Sequence, residues 1–183
     1  MCKFIPIHYD KELPFFSLRY IPQILACYNR FSKYLQDDFT GCTKDIIPKL
    51  LFSSFLYAVL SYDDTFMGFV FLDNFVGNNS VNYSAELTTC FEPKAWGVFT
   101  RYSAKIFLKK IFDEFGLYKI KVLVYPQNYR TKVLLKSSGF KYETTLKNET
   151  MCAGKPQDID IYAIYRNYYY KNEVKNEKYN YNS

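Results

Sequence analysis

Apolar residues recur along this chain at two different spacings, and the change from one to the other organises it. The segment from Phe55 to Phe91 has strand character. Phe55–Tyr62 is a β-rich run that stops at Asp63-Asp64, and Phe66–Phe75 is a second. The short connection Asp63-Asp64-Thr65 predicts a hairpin between them. Gly77-Asn78-Asn79 is a strong turn signal, and Val81–Phe91 follows as a third strand, so a three-stranded antiparallel meander is expected. The spacing then becomes helical. Within Trp96–Phe115 the residues Ala104, Phe107, Leu108, Ile111, Phe112 and Phe115 fall on one face, and Gly116 ends the helix.

The next stretch, Val122 to Phe140, contains strand, break and helix in quick order. Lys119–Tyr125 is a short β run, expected to be buried on both faces in a parallel pairing. Pro126 breaks it. Asn128 is of the type that caps a helix, the helix runs to Ser138, and Gly139-Phe140 stops it. Phe140–Cys152 and Ile159–Tyr168 are the last two strands, joined through Gly154-Lys155-Pro156.

The N-terminal third is less regular. Cys2–His8 alternates weakly and reads as a first strand. Ile21–Leu35 places Ile21, Ile24, Leu25, Tyr28, Phe31 and Leu35 near helical spacing. A short helix is expected from Thr43 toward Leu51. The whole is an α/β arrangement: strand, two helices, meander, helix, strand, helix, two strands. Residues 1–168 form one domain, and the polar, low-complexity segment 169–183 is expected to be a disordered tail.

Composition narrows the classes. The chain has 183 residues, 49% of them apolar, enough for a sizeable core. The 19 Tyr and 17 Phe, with many Lys and Asn, reflect an AT-rich coding bias rather than a function. A net charge of +6, spread over scattered lysines, argues against nucleic acid as partner. Five cysteines without a CxxC pair argue against a disulfide framework and a zinc site, and for a reducing compartment. The single histidine, His8, cannot build a multi-histidine metal site. Leu50–Leu60, the longest apolar run, is too short for a membrane helix and contains two serines. A soluble, cytoplasmic protein with no membrane or metal partner is the expectation.

The C-terminal half carries an ordered set of residues: Asn128, Thr131, Val133, Leu134, Gly139, Phe140 and Glu143, then Gly154, Asp158, Tyr162 and Arg166. With Ala85-Glu86-Leu87 and Trp96-Gly97 before it, this set resembles the GNAT N-acetyltransferase superfamily. It is most similar to the ribosomal-protein N-terminal acetyltransferase-like branch and to GNAT-type proteins of bacteriophages. The resemblance covers about Tyr57–Arg166. It implies a mixed, mostly antiparallel central sheet of six to seven strands flanked by helices, with a split between two parallel strands. Acetyl-CoA would be the co-substrate and an amine of a protein or small molecule the acceptor. The split would lie between Val81–Phe91 and Lys119–Tyr125. The backbone of Thr89, Cys90 and Phe91 would pair with pantetheine. The turn Trp96, Gly97, Val98, Phe99, Thr100 and Arg101 would offer N–H groups and a helix dipole to the pyrophosphate, and Asn128 would reach the pantetheine arm or the acetyl end.

Amine attack on a thioester needs a base for the ammonium proton and an acid for the departing thiolate. Glu86, beside the split, is the candidate base; an outward charge on a half-exposed strand is its other reading. The family pattern has Gln or Arg and then Gly-x-Gly-x-Gly/Ala, whereas here Phe99 replaces the second glycine and Arg101 the small residue. The usual thiolate acid is a tyrosine where this chain has Leu135; Tyr125 and Ser137 are substitutes to weigh. Cys90 reads better as a buried structural thiol than as a nucleophile. These departures support a second reading: an inactive protein of the same shape, a phage accessory or virion component acting through protein contacts.

Overall fold

The computed structural model describes residues 1–7, 18–40, 55–78 and 80–171. His8 and the expected helix from Thr43 toward Leu51 lie outside the described residues, as does 172–183. Thirteen elements follow in order: β1 (Cys2–Pro6), a 3-10 turn (Leu18–Tyr20), α1 (Ile21–Arg30), α2 (Ser32–Leu35), β2 (Leu56–Ser61), β3 (Phe66–Asn78), β4 (Val81–Phe91), a 3-10 turn (Pro93–Ala95), α3 (Val98–Glu114), β5 (Lys119–Val124), α4 (Tyr129–Ser137), β6 (Lys141–Cys152) and β7 (Lys155–Tyr165). The strands form one seven-stranded sheet in the order β1-β2-β3-β4-β5-β7-β6. Only β4 and β5 pair in parallel; the other neighbours are antiparallel.

Strand alternation divides the core in two. Tyr57 and Val59 of β2, Val70 and Leu72 of β3, Ala85 and Leu87 of β4, and Ile120, Val122 and Val124 of β5 point to one face. There they meet Phe107, Leu108, Ile111 and Phe112 of α3, and Leu135 of α4. Leu56, Ala58, Leu60, Phe69 and Cys90 point to the other, where Ile24, Cys27 and Tyr28 of α1 cover them. Fully burying a side chain of this size contributes about 1.5–3 kcal/mol. β2 is therefore buried on both faces. β5 is not: its residues alternate, and Leu123 is 44% exposed, so the expected two-sided burial of Lys119–Tyr125 is corrected. The reason is that α1 covers only the β2–β4 side of that face.

Other boundaries also move. The expected helix Ile21–Leu35 is two helices broken at Phe31 (φ −112°, ψ 16°), whose ring turns toward Trp96 at 6.0 Å. β3 runs on through Gly77 to Asn78, past the expected turn. β7 starts at Lys155, because Ala153 and Gly154 both take positive φ (52° and 69°) and make a two-residue hairpin. Pro156 is tolerated there because β7 faces only β6 at that point; its pairing with β5 begins at Asp160. At the other end, residues 166–171 are helical rather than strand, and Tyr169 is buried against Phe112, with its hydroxyl donating to the Lys105 carbonyl. Among the described residues no helix is long and apolar enough to cross a membrane, and no group of His, Cys, Asp and Glu is arranged to hold a metal.

Candidate active site

The parallel pair is short. β4 and β5 share only Ser84↔Lys119, Ala85↔Ile120 and Glu86↔Lys121. Beyond Glu86, β4 continues to Phe91 paired with β3 alone, and beyond Lys121, β5 continues to Val124 paired with β7 alone. Two strand edges thus diverge from an apex at Glu86 and Lys121. On the α3 face a small apolar pocket lies beside this gap, between β4 (Leu87, Thr89, Phe91), α3 (Phe107) and α4 (Leu134, Leu135). Backbone amides along such an edge need partners, because an unpaired buried N–H or C=O is costly.

The mouth of the gap is built by the turn between β4 and α3. Gly97 takes φ 101°, ψ −121°, a backbone that L-residues rarely adopt, while a Cβ at this position would meet nothing within 4 Å. Gly97 is thus required for conformation and not for space. It precedes α3 without a side-chain cap, and the first turn of α3 holds no acidic residue. The 17-residue helix therefore presents its leading N–H groups and positive dipole end here. Thr100 is buried and donates to the Ala95 carbonyl at 2.6 Å, while Phe99 packs against the core beneath α3. Val98 is 76% exposed. Trp96 donates from Nε1 to the Phe91 carbonyl at 3.1 Å.

The opposite wall is α4. Asn128 is its N-cap and accepts a hydrogen bond from the Thr131 N–H at 3.3 Å. Arg130, in the first turn, lays its guanidinium over the Trp96 ring at 4.2 Å from the centroid. Lys132 pairs with the buried Asp160 of β7, which also accepts from Thr145. Leu135 is buried in the cleft wall. Tyr125, just past β5, donates its hydroxyl to the Gln36 carbonyl at 2.9 Å, and burial, followed by the charge of Asp37, pushes its pKa up to about 12. Ser137 donates to the Leu134 carbonyl within its own helix.

The apex is polar on the face away from α3. Glu86 pairs with Lys121 at 3.0 Å through one oxygen and accepts from Asn74 Nδ2 at 2.8 Å through the other. Directly opposite Glu86 on β3 stands Asp73. The ladder is irregular between Asp73 and Val76, and Asn74 takes a positive φ of 47°. Asparagine tolerates that conformation better than most residues, and the bulge brings its amide to Glu86. Asp73 is exposed as a residue, yet loss of water around its carboxyl, then repulsion from Glu86, raises its pKa to about 6.

No protein-family model matches this sequence, and no curated protein matches it by sequence. Solved structures do. Spermidine N-acetyltransferase from Vibrio cholerae, in complex with CoA and spermine, superposes with a TM-score of 0.69 at 20% identity, over 92% of this chain and 97% of that one. A protein proposed to be a phosphinothricin N-acetyltransferase gives 0.69 at 15% identity, over 90% and 98%. An acetyltransferase of the GNAT family from Bacillus anthracis gives 0.58 at 20% identity, over 67% and 72%. The fold is the GNAT fold. The seven-stranded mixed sheet with its single parallel pair is the architecture expected from the sequence.

Within the GNAT fold, the residues named from the sequence occupy different stations. Glu86 stands at the end of the parallel pairing, Thr89 and Phe91 line the apolar pocket, and Trp96 to Arg101 make the turn and first residues of α3. Cys90 turns its side chain to the opposite face, 3.5 Å from Cys27 of α1, as a buried thiol, so only its backbone belongs to the β4 edge. The Asn128 oxygen serves as a helix cap, and the Phe91 carbonyl is already bonded to Trp96. Three residues escaped sequence reading: Asp73, Lys121 and Arg130. The clearest signal for Asp73 was its place in Leu72-Asp73-Asn74, a polar break in an otherwise apolar strand.

Proposed function

We propose that this chain is an acetyl-CoA-dependent N-acetyltransferase acting on an amine of a small molecule or protein. One observation carries the reading: the parallel strands part at Glu86 and Lys121, leaving an edge-lined gap that ends at an uncapped helix N-terminus. An extended amide-bearing arm fits the gap, and a pyrophosphate fits the helix end. The CoA bound in the Vibrio cholerae structure of the same fold supports this assignment. The residues present suit the ligand: Thr89 and the β4 edge for pantetheine, and the N–H groups of Val98, Phe99 and Thr100 for phosphate, with Gly97 permitting the turn. Phe99 packs against the core and Thr100 is tied to Ala95, so neither side chain fills the mouth. The thioester would lie near the apex carboxylates. Leu135 has no proton to give and Tyr125 is committed to Gln36, so the departing thiolate takes its proton through solvent. The branch resembling ribosomal-protein N-terminal acetyltransferases, the likeness to phage proteins and a cytoplasmic site of action rest on the spacing and composition of the sequence alone.

Calorimetric titration of the full chain with acetyl-CoA tests the reading. Saturable heat and a rise in melting temperature are expected. No heat and no thermal shift at millimolar ligand would overturn it, leaving the second reading, a non-catalytic scaffold. The Trp96–Phe91 bond and Leu135 in the cleft wall are the observations that favour that alternative.

A further inference from the structure

We infer that Asp73, rather than Glu86, is the general base that removes the proton from the acceptor ammonium, with Glu86 as a fixed carboxylate that holds the apex. This rests on the acetyltransferase reading above. Both oxygens of Glu86 are engaged, one by the Lys121 ammonium at 3.0 Å and one by Asn74 Nδ2 at 2.8 Å. Neither oxygen of Glu86 is without a partner. Asp73 is its cross-strand neighbour, so their Cβ atoms lie about 4.5–5.5 Å apart. It faces the same side of the sheet as Glu86.

The two carboxylates are placed in unlike environments, the arrangement by which a pair divides its roles. Glu86 is ion-paired with Lys121 from β5, whereas Asp73 has its proton affinity raised by desolvation first and by the Glu86 charge second. A base poised near neutrality suits an amine substrate. The bulge after Asp73 serves both: it swings Asn74 to Glu86 and ends the regular ladder at Asp73. Asp73 stands on the face away from α3, so the step has the amine approach from that face and the thioester from the α3 face. In the step itself the Asp73 carboxylate takes one ammonium proton. The neutral nitrogen then forms the C–N bond at the thioester carbon. The C–S bond breaks on collapse, and the second nitrogen proton passes through solvent to the thiolate. Asp73 returns its proton to solvent, leaving amide, CoA thiol and one released proton.

The test uses the full chain and its D73N and E86Q variants, with acetyl-CoA binding measured first by calorimetry. Loss of binding in the parent chain defeats the acetyltransferase reading; retained binding isolates the inference. The Asp73 carboxyl is then titrated by carbon-13 NMR, assigned by its disappearance in D73N. A midpoint near 6, moving lower in E86Q as the repelling charge is removed, is expected. A midpoint at the ordinary value near 4 overturns the inference. With spermine as probe amine, and with water alone as acceptor, release of CoA thiol gives the rate. Where spermine turns over, D73N should lower kcat about 100-fold or more at unchanged acetyl-CoA affinity. The acid limb of kcat/KM should sit near pH 6 and shift downward in E86Q. A D73N enzyme as fast as the parent overturns it.

Discussion

Arg130 stacks on Trp96, and Trp96 in turn holds the Phe91 carbonyl. The first turn of α4 is thus tied, through one indole ring, to the end of β4 and the turn that leads into α3. A ring in this position closes a connection across the mouth of the gap that neither strand supplies. Removing the indole should cost about 1–3 kcal/mol, combining a lost hydrogen bond and a lost stacking surface. In a double-mutant cycle with Trp96→Ala and Arg130→Ala, followed by urea unfolding, a coupling of about 0.5–1 kcal/mol is expected. Strict additivity would show that the stack contributes nothing to stability.

Gly97 offers a cleaner measurement, because its replacement by alanine meets no neighbour. The whole cost of Gly97→Ala is backbone strain at φ 101°, about 1–3 kcal/mol. The change should lower the urea midpoint without altering the slope of the transition. Acetyl-CoA affinity should fall with it, since the N–H groups of the turn would be re-aimed.

The Asp160–Lys132 pair predicts an acid-labile tie between β7 and α4. Burial pushes the Asp160 carboxyl up, but hydrogen bonds from Lys132 and Thr145 and the Lys132 charge outweigh it and hold the group below the ordinary range. A depressed folded-state value means the contribution is present above the unfolded value, about 3.9, and is lost as pH falls below it. Asp160→Asn should therefore cost about 2–3 kcal/mol at pH 7 and flatten the fall in stability below pH 4. Thermal denaturation of both proteins between pH 3 and 7 reads this directly.

Cys27 and Cys90 are buried free thiols in contact across the α1–β4 interface. The neighbouring Cys90 thiol and burial together push Cys27 well above the ordinary thiol range. Thiolate is the reactive form, so among the cysteines of the described residues iodoacetamide should modify the half-buried Cys152 and Cys2 before Cys27 and Cys90. Mass spectrometry over a time course should find Cys27 and Cys90 unmodified until denaturant is added. Early labelling of either would mean that α1 lifts from the sheet readily.

Much of this architecture was legible because its signals are local. Asn128 caps α4 by a requirement that a single residue meets. The helix face built by Phe107, Leu108, Ile111 and Phe112 followed from spacing alone. What escaped was non-local. Nothing near Ile21–Leu35 announces the break at Phe31, whose ring is drawn to Trp96 from a distant turn. The bulge after Asp73 depends on the αL conformation of Asn74, and its consequence depends on Glu86 from the next strand. The Glu86–Lys121 pair spans 35 positions and exists only because the two strands run parallel there. Cys90 was read as a buried thiol, but its neighbour Cys27, 63 positions away on α1, was not legible.

The three shared pairs between β4 and β5 have a mechanical meaning. They make the sheet two leaves on one short hinge: four strands on the β1–β4 side and three on the β5–β7–β6 side. Beyond the hinge the leaves are held together from outside, by the helices packed on them and by the indole at the mouth. A molecule that bonded to both free edges at once would supply the rungs that the polypeptide leaves out. Slower amide exchange along Leu87–Phe91 and Val122–Val124 would record that splinting directly, before any reaction took place.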